Sequence, residues 1–337
     1  MKNPNKFYLV VIADYNDSDA HGVVHDNLFY WFTHQDLDIL EYDTVDVRPF
    51  NTVQTGYMLA RRALNPLSPS NRQVFFVNTA PRMDDTGSRQ TNEGEGFVMA
   101  QLKNGKKIFA VNSGHTLSFV KPALEKLYKL NVPDDVNDMP LLVNSLQGKG
   151  NIGAGQFRSG YVYPIVTALA LSGDNDGISP GFKSLIGDEI DPALVPDIPD
   201  ETIVYRDGYY NIKTSIQPDS LVAHFGKFAV VSCGGEEIIA HISKGMFNVP
   251  LHHFSLAPGS TILDFTGGRK RQFVEVALRG GHAGKAFAEQ ISTGERFAPV
   301  EGHDITWRPA DKDDFSRLDF GTDGRPPRRI LESALRL

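Results

Sequence analysis

An unbroken apolar run near the start of the chain, FYLVVIA at residues 7–13, stops abruptly at Asp14, and the polar, turn-rich stretch DYNDSDAHG comes next. Such a run bounded by turn residues is the pattern of a buried strand. A strand of this kind delivers its last polar residues to the rim of a sheet. Open α/β sheets make their ligand contacts at that rim, so Asp14 and Asp19 are the first candidates for a site.

The order of the later segments decides the class. Strand-like segments at 7–13, 44–48, 74–79, 96–102 and 106–112 alternate with helix-like segments at 21–35, 52–64, 116–130 and 160–172. Alternation of this kind predicts an α/β domain with a mostly parallel sheet. In 52–64 the apolar residues fall on one helical stripe behind Asn51, a good N-cap. Lys103-Asn104-Gly105 between two strand-like runs is a hairpin signal. Residues 173–200 are rich in Gly, Ser, Pro and Asp and read as a linker. Beyond it, short apolar runs at 202–206, 210–216, 228–233, 237–243, 260–265 and 272–278 are separated by Gly and Pro, which predicts a small all-β domain. The expected layout is an α/β domain over 1–172, a linker over 173–200, a β domain over 201–308, and a peripheral tail over 309–337 ending in a short helix.

Bulk properties narrow the function classes. At 337 residues the chain is long enough for two domains. Its net charge of −7 argues against a nucleic-acid surface, which needs a basic face. Cys233, the single cysteine, lies in the apolar run AVVSC and reads as a buried structural thiol. No stretch of about 18 apolar residues suggests a membrane span, and MKNPNKF carries no apolar signal segment. The expectation is a cytoplasmic protein.

Five segments carry chemistry, in this order: ADYNDSD at 13–19; VRPFNTVQTGYML at 47–59; VFFVNTAP at 74–81 with the loop to Arg89; FAVNSGH at 109–115; and, in the β domain, DGYYNIKTSI at 207–216, HHFSLAPGS at 252–260 and RQFVEVALRGGHAG at 271–284. The series resembles the S-adenosyl-L-methionine hydroxide adenosyltransferase, fluorinase and chlorinase superfamily. Its members read TTDFGxxD, PPFDVxxGA, VVDPGVGxxRR, PDNG, TFHGRD, DxFGNxxTNI and GYLEIAVNxGSA. The resemblance runs from about residue 7 to residue 307. It implies an α/β domain, a linker and a β-barrel-like domain. It also implies a homotrimer that binds S-adenosyl-L-methionine between one subunit's N-terminal domain and its neighbour's C-terminal domain. The implied reaction is attack by water or halide on the 5′ carbon of the adenosyl group, with methionine leaving and no further cofactor.

The same resemblance assigns residues. Asp14 would hold the ribose hydroxyls, Asp19 the methionine ammonium, and Phe50 would lie against the ribose and sulfonium. Phe50 serves equally well as a hydrophobic staple for the helix capped by Asn51. In the β domain Asp207 would take the methionine amino group and Asn211 the adenine edge. Phe254 would stack on adenine, Arg271 would meet the methionine carboxylate, and Gly280 with Gly281 would let the backbone approach adenine. Tyr209 and Tyr210 replace the family's Phe and Gly.

The chain departs from the family in the groups that activate water. Ala80 stands where the family has an aspartate. Asp84 or Asp85 is a spatial substitute, and Arg89 is the best match for the arginine. Arg158 stands where the family has a histidine, followed by Ser159, the residue that the fluoride-using enzyme carries there. A guanidinium stays protonated, so Arg158 is no general base; it suits an anionic nucleophile, or a salt bridge to Asp84 or Asp85. His115 is a replacement base. The histidines at 241, 252, 253 and 282 lack metal-ligand spacing, so no metal is expected. Residues 148–155 are Gly-rich but come after no clear strand, which argues against a phosphate loop. The default expectation is hydrolysis of S-adenosyl-L-methionine to adenosine and methionine. The alternatives are a halogenase giving a 5′-halo-adenosine, or an inactive nucleoside-binding trimer.

Overall fold

The apolar run is a strand, β1 (Lys6–Ala13), whose last five residues are buried. Leu9, Val11 and Ala13 join a cluster with Val24, Leu28, Trp31 and Phe32 of α1 (Ser18–His34). Val10 and Ile12, on the alternate face, are buried too. A strand buried on both faces needs cover on both. The computed structural model describes residues 6–66, 72–80, 95–132, 157–173, 185–263, 270–288 and 300–335. The chain divides into two compact units, 1–197 with 264–268, and 198–263 with 269–337.

The first unit is built on a seven-stranded sheet. Its order is β2 (Asp38–Asp46), β1, β3 (Gln73–Asn78), β5 (Lys107–Val111), β4 (Phe97–Leu102), β6 (Leu124–Leu130) and β7 (Ile186–Glu189). The first four are mutually parallel, whereas β4, β6 and β7 pair antiparallel. The sheet is therefore mixed, not mostly parallel. The cause is the tight turn at Lys103-Asn104-Gly105, where Gly105 has φ +83° and donates its N–H to the Leu102 carbonyl at 2.8 Å. So short a connection joins only antiparallel strands.

The helices obey the hydrophobic pattern. α2 (Thr52–Ala63) starts at Asn51, whose side chain accepts the Gln54 N–H, and packs on β1 and β3. The short α3 (Arg158–Tyr161) leads into α4 (Tyr163–Ser172), which packs on α1. The Tyr163 ring stacks on Phe97 at 4.1 Å.

Two expectations in this unit fail. Residues 116–130 are not a helix, because Pro122 lies in a single 3-10 turn and 124–130 is strand β6. Proline within a helix removes a hydrogen bond and clashes with the preceding turn, about 3 kcal/mol. Residues 173–200 are not simply a linker, since β7 within them pairs with β6 and Ile190 N–H reaches the Leu127 carbonyl at 2.7 Å.

The second unit is a curled sheet of seven strands. Its order is β14 (Ile305–Pro309), β10 (Phe228–Cys233), β11 (Glu236–Ile242), β12 (Phe254–Leu263), β13 (Lys270–Leu278), β9 (Ile212–Thr214) and β8 (Ile203–Arg206). β11 and β12 are parallel, the other pairs antiparallel. A bridge between Thr202 and Asp304 draws the two edges together into a half-barrel. The unit is not all-β, for it includes α5 (Ala283–Ala288), α6 (Lys312–Arg317) and α7 (Arg328–Leu335). Nor is 309–337 a peripheral tail. Phe320 and Ile330 are buried with Phe254 and Leu256 in the core, and α7 packs on α5. Burial pushes the Cys233 thiol up to about 12, so it stays protonated and inert.

Buried Asp314 fastens α6 to the sheet. Its carboxylate accepts both Arg308 guanidinium N–H groups at 2.6 and 2.7 Å and one from Arg317 at 2.8 Å, and it forms a capping box with Asp311. The Arg308 contact holds the carboxyl well below the usual carboxylate range. A depressed folded-state value means stability that is present above the unfolded value near pH 4 and lost as pH falls below it. Asp314→Asn is expected to lower unfolding free energy at pH 7 by about 2 kcal/mol. Urea titrations at pH 7 and pH 3 check this, with the deficit shrinking at the lower pH.

Candidate active site

The order of the parallel strands locates the site. From β1 the chain steps outward to β2, then returns to the other side as β3. The crevice at the carboxyl ends of β1 and β3 is the switch point where such sheets bind ligands. Asp14, directly after β1, sits there.

Asp14 is held from two sides. Its Oδ2 accepts the Phe50 N–H at 2.9 Å from the loop after β2, and the Ala80 N–H at 3.1 Å from the loop after β3. Its Oδ1 accepts nothing from the described residues. One oxygen is pinned, and the other has no hydrogen-bond partner among the described residues. The Phe50 bond has a further effect, because Phe50 has φ +63°. A residue with a side chain costs about 1–2 kcal/mol in that region, and the carboxylate helps to hold it there. The Phe50 ring is half-buried at the start of α2.

A layer of buried hydroxyls lies beneath. Thr55 Oγ1 donates to the Asn51 carbonyl at 2.8 Å, so in its 2.6 Å contact with Thr79 it is the acceptor. Ser113 Oγ donates to the Thr79 carbonyl at 3.3 Å. These bonds tie α2, the end of β3 and the loop after β5 together, and so fix where Ala80 N–H points. Gly56 makes the close approach of α2 possible. A Cβ there would strike the His115 carbonyl oxygen and meet Phe119 Cδ2 at 2.9 Å.

A second group lies beside Asp14. The Tyr15 ring meets Phe157 edge-on at 5.7 Å and His21 at 5.2 Å. The enclosed Tyr15 hydroxyl has no hydrogen bond of normal geometry, although Ser159 lies near enough to act on it. Burial pushes the Tyr15 phenol far up, Ser159 draws it back, and the charge of Asp14 adds to the rise. Ser159 is itself buried, at the start of α3. His21 Nε2 bonds Asp46 Oδ1 at 2.6 Å, while its buried Nδ1 has no hydrogen-bond partner among the described residues. Asp46 is the last residue of β2 and pairs in register with Ala13.

The residues expected from sequence divide between the two units. Asp14, Phe50 and Ser159 belong to the first unit and line or border this edge. Arg158 is half-buried beside Ser159 and acts electrostatically on Tyr163. Asp19 is exposed in the first turn of α1, where a carboxylate suits the helix dipole. His115 Nδ1 is paired with Ser118 Oγ at 3.2 Å. Arg89, Asp84, Asp85 and 148–155 lie outside the described residues. Tyr15, His21, Asp46, Thr55 and Thr79 were not singled out. The first two lie inside the opening motif, but their partners come from distant segments and leave no local signal.

In the second unit the assignments change character. Asp207 Oδ1 accepts the N–H groups of Tyr209 and Asn211, and Oδ2 accepts Asn211 Nδ2 and faces Lys213 Nζ at 3.5 Å. Both oxygens are occupied in closing the turn between β8 and β9. Lys213 also pairs with Glu275 at 2.7 Å. Phe254 is fully buried among β-sheet side chains. A buried ring offers no face to adenine, so Phe254 serves the core and is not a stacking platform. Arg271 lies over the Phe273 ring at 5.8 Å. Gly280, at φ +80°, is exposed and fits against Leu251. Among the described residues no group of three His, Cys, Asp or Glu could hold a metal, and no helix is long and apolar enough to cross a membrane.

No protein-family model matches the chain. No curated protein matches it in sequence. In three dimensions it is similar to an uncharacterized conserved protein from Thermotoga maritima, with a TM-score of 0.56 and 18% identity over 89% of this chain and 99% of that one. It is also similar to a conserved hypothetical protein from Thermus thermophilus, with a TM-score of 0.52 and 15% identity over 90% of this chain and 100% of that one. These likenesses establish a shared fold.

Gly56→Ala is expected to destabilise the protein by about 1–3 kcal/mol, because the carbonyl and ring it would strike are fixed by the loop after β5. A lowered thermal midpoint checks this.

Proposed function

We propose that this chain cleaves S-adenosyl-L-methionine by nucleophilic substitution at the 5′ carbon, with water as the default nucleophile and adenosine and methionine as products. The observation that carries the reading is the Asp14 carboxylate at the switch point, one oxygen fixed by two backbone amides and the other without a partner among the described residues. A carboxylate oriented this way accepts paired hydroxyls such as those of a ribose. The substrate is a sulfonium and the nucleophile is an anion or becomes one. Charge is cancelled along the reaction, so an enclosed site that sheds water from the nucleophile and holds the reacting atoms in line raises the rate. Phe50, whose N–H bonds Asp14, would contact a cationic ligand through its ring. By the same reading the protein works as a homotrimer, and a neighbouring subunit completes the site.

Buried Ser159 beside the Tyr15 hydroxyl favours one second reading, in which two O–H groups hold a halide and the product is a 5′-halo-adenosine.

Calorimetry with S-adenosyl-L-methionine, followed by chromatography of the nucleosides formed with and without chloride or fluoride, tests both. Adenosine as the only product supports hydrolysis, and a halogenated nucleoside supports the second reading. Asp14→Asn is expected to weaken binding about tenfold or more, since the amide would turn its oxygen to the Phe50 and Ala80 N–H groups and present a donor NH2, not an acceptor, to the ligand hydroxyls. If the wild-type protein binds no adenosyl compound, the proposal is wrong. Tight binding without turnover would mark an inactive nucleoside-binding protein instead.

A further inference from the structure

Buried polar atoms in folded proteins are almost always paired, and an unpaired one calls for an explanation such as a bound group. Among the described residues His21 Nδ1 is such an atom, and its ring lies edge-on at 5.2 Å to Tyr15, the residue after Asp14. His21 is not an ordinary surface histidine. Its side chain is 19% exposed, and its Nε2 is held by Asp46 Oδ1 at 2.6 Å. A carboxylate accepts only, so Nε2 donates its N–H to Asp46, and the enclosed Nδ1 is the nitrogen left to take a proton. A base oriented by an acid group, with its second nitrogen unengaged, is the arrangement that activates a nucleophile. His115 lacks it, because its Nδ1 is paired with Ser118.

We propose that His21, oriented by Asp46, is the general base that takes the proton from the attacking water. The inference rests on the hydrolytic reading above. It supplies what that reading lacks, since Ala80 and Arg158 replace the expected water-activating groups. The step balances. The water O–H bond breaks, its proton goes to Nδ1, and the oxygen pair forms the bond to the 5′ carbon. The C5′–S bond breaks, and its electrons stay on sulfur, which leaves as the neutral thioether of methionine. The imidazolium then returns a proton to water past Asp46, which is 66% exposed. Tyr15 is a positioning residue that walls the ring on one side. The titratable groups set against His21 are Asp46 from β2 and Tyr15 from the loop after β1; Asp17 caps the same helix.

The test measures turnover of S-adenosyl-L-methionine against pH, with binding measured separately by calorimetry. In the wild type kcat should fall in acid as the imidazole protonates. His21→Gln should lower kcat about a hundredfold, remove that acid limb and leave Kd within threefold. Asp46→Asn removes no buried group, so its folding is not at stake; it should lower kcat about tenfold and displace the acid limb. If Asp46→Asn leaves both rate and profile unchanged, the inference is overturned even where His21→Gln does not fold. A His21→Gln protein that turns over at the wild-type rate overturns it and leaves the hydrolytic reading standing. A wild-type protein that neither binds nor cleaves the substrate overturns both.

Discussion

The carboxylate of Asp14 is the constraint on which the candidate site depends. It joins the loops that leave three neighbouring parallel strands, through bonds to Phe50 and Ala80. Both amides lie beyond the ends of their strands, and loops after strands are otherwise the least determined parts of such a domain. The hydroxyl layer of Thr55, Thr79 and Ser113 fixes the same loops from below. The edge is thus held from the core side and from the Asp14 side at once, so its amides are oriented before any ligand arrives.

Much of the first unit was legible because its signals are local. The apolar run of β1, the Asn51 cap of α2 and the Lys103-Asn104-Gly105 turn each speak for themselves. The helix expected over 116–130 failed although Pro122 stood within it, because apolar spacing outweighed a local breaker. The antiparallel half of the sheet was also missed, since a hairpin read correctly was not carried through to its consequence for strand direction. The pairing of His21 with Asp46 could not be read at all. It depends on the parallel register that sets Asp46 opposite Ala13, and register across a helical crossover has no local code.

The second unit shows why spacing is ambiguous evidence. An aspartate four residues before an asparagine suits a ligand, but it equally suits a turn in which the aspartate accepts the amides just beyond it. Asp207 and Asn211 do the latter. Phe254 sits in a strand whose inward and outward positions are both apolar in places, so its phase was hidden until the core was seen. Phe320 and Ile330, read as tail, are core for the same reason: isolated apolar residues in a charged stretch carry no period.

The edges of the first sheet have a consequence for behaviour in crowded solution. β2 is an edge strand of nine residues, and no other described strand pairs with its outer side. Such a row is a template for pairing with another chain. Asp38, Glu41, Asp43 and Asp46 punctuate it, and β7 at the opposite edge is four residues long with Asp188 and Glu189. Two copies meeting edge to edge would bring these carboxylates together, and their repulsion discourages the sheet from growing. The acidity of the chain is in this sense local, and β2 uses it in three ways: its last carboxylate holds His21, Asp43 pairs with Arg62, and Asp38 and Glu41 leave negative charge on the exposed edge.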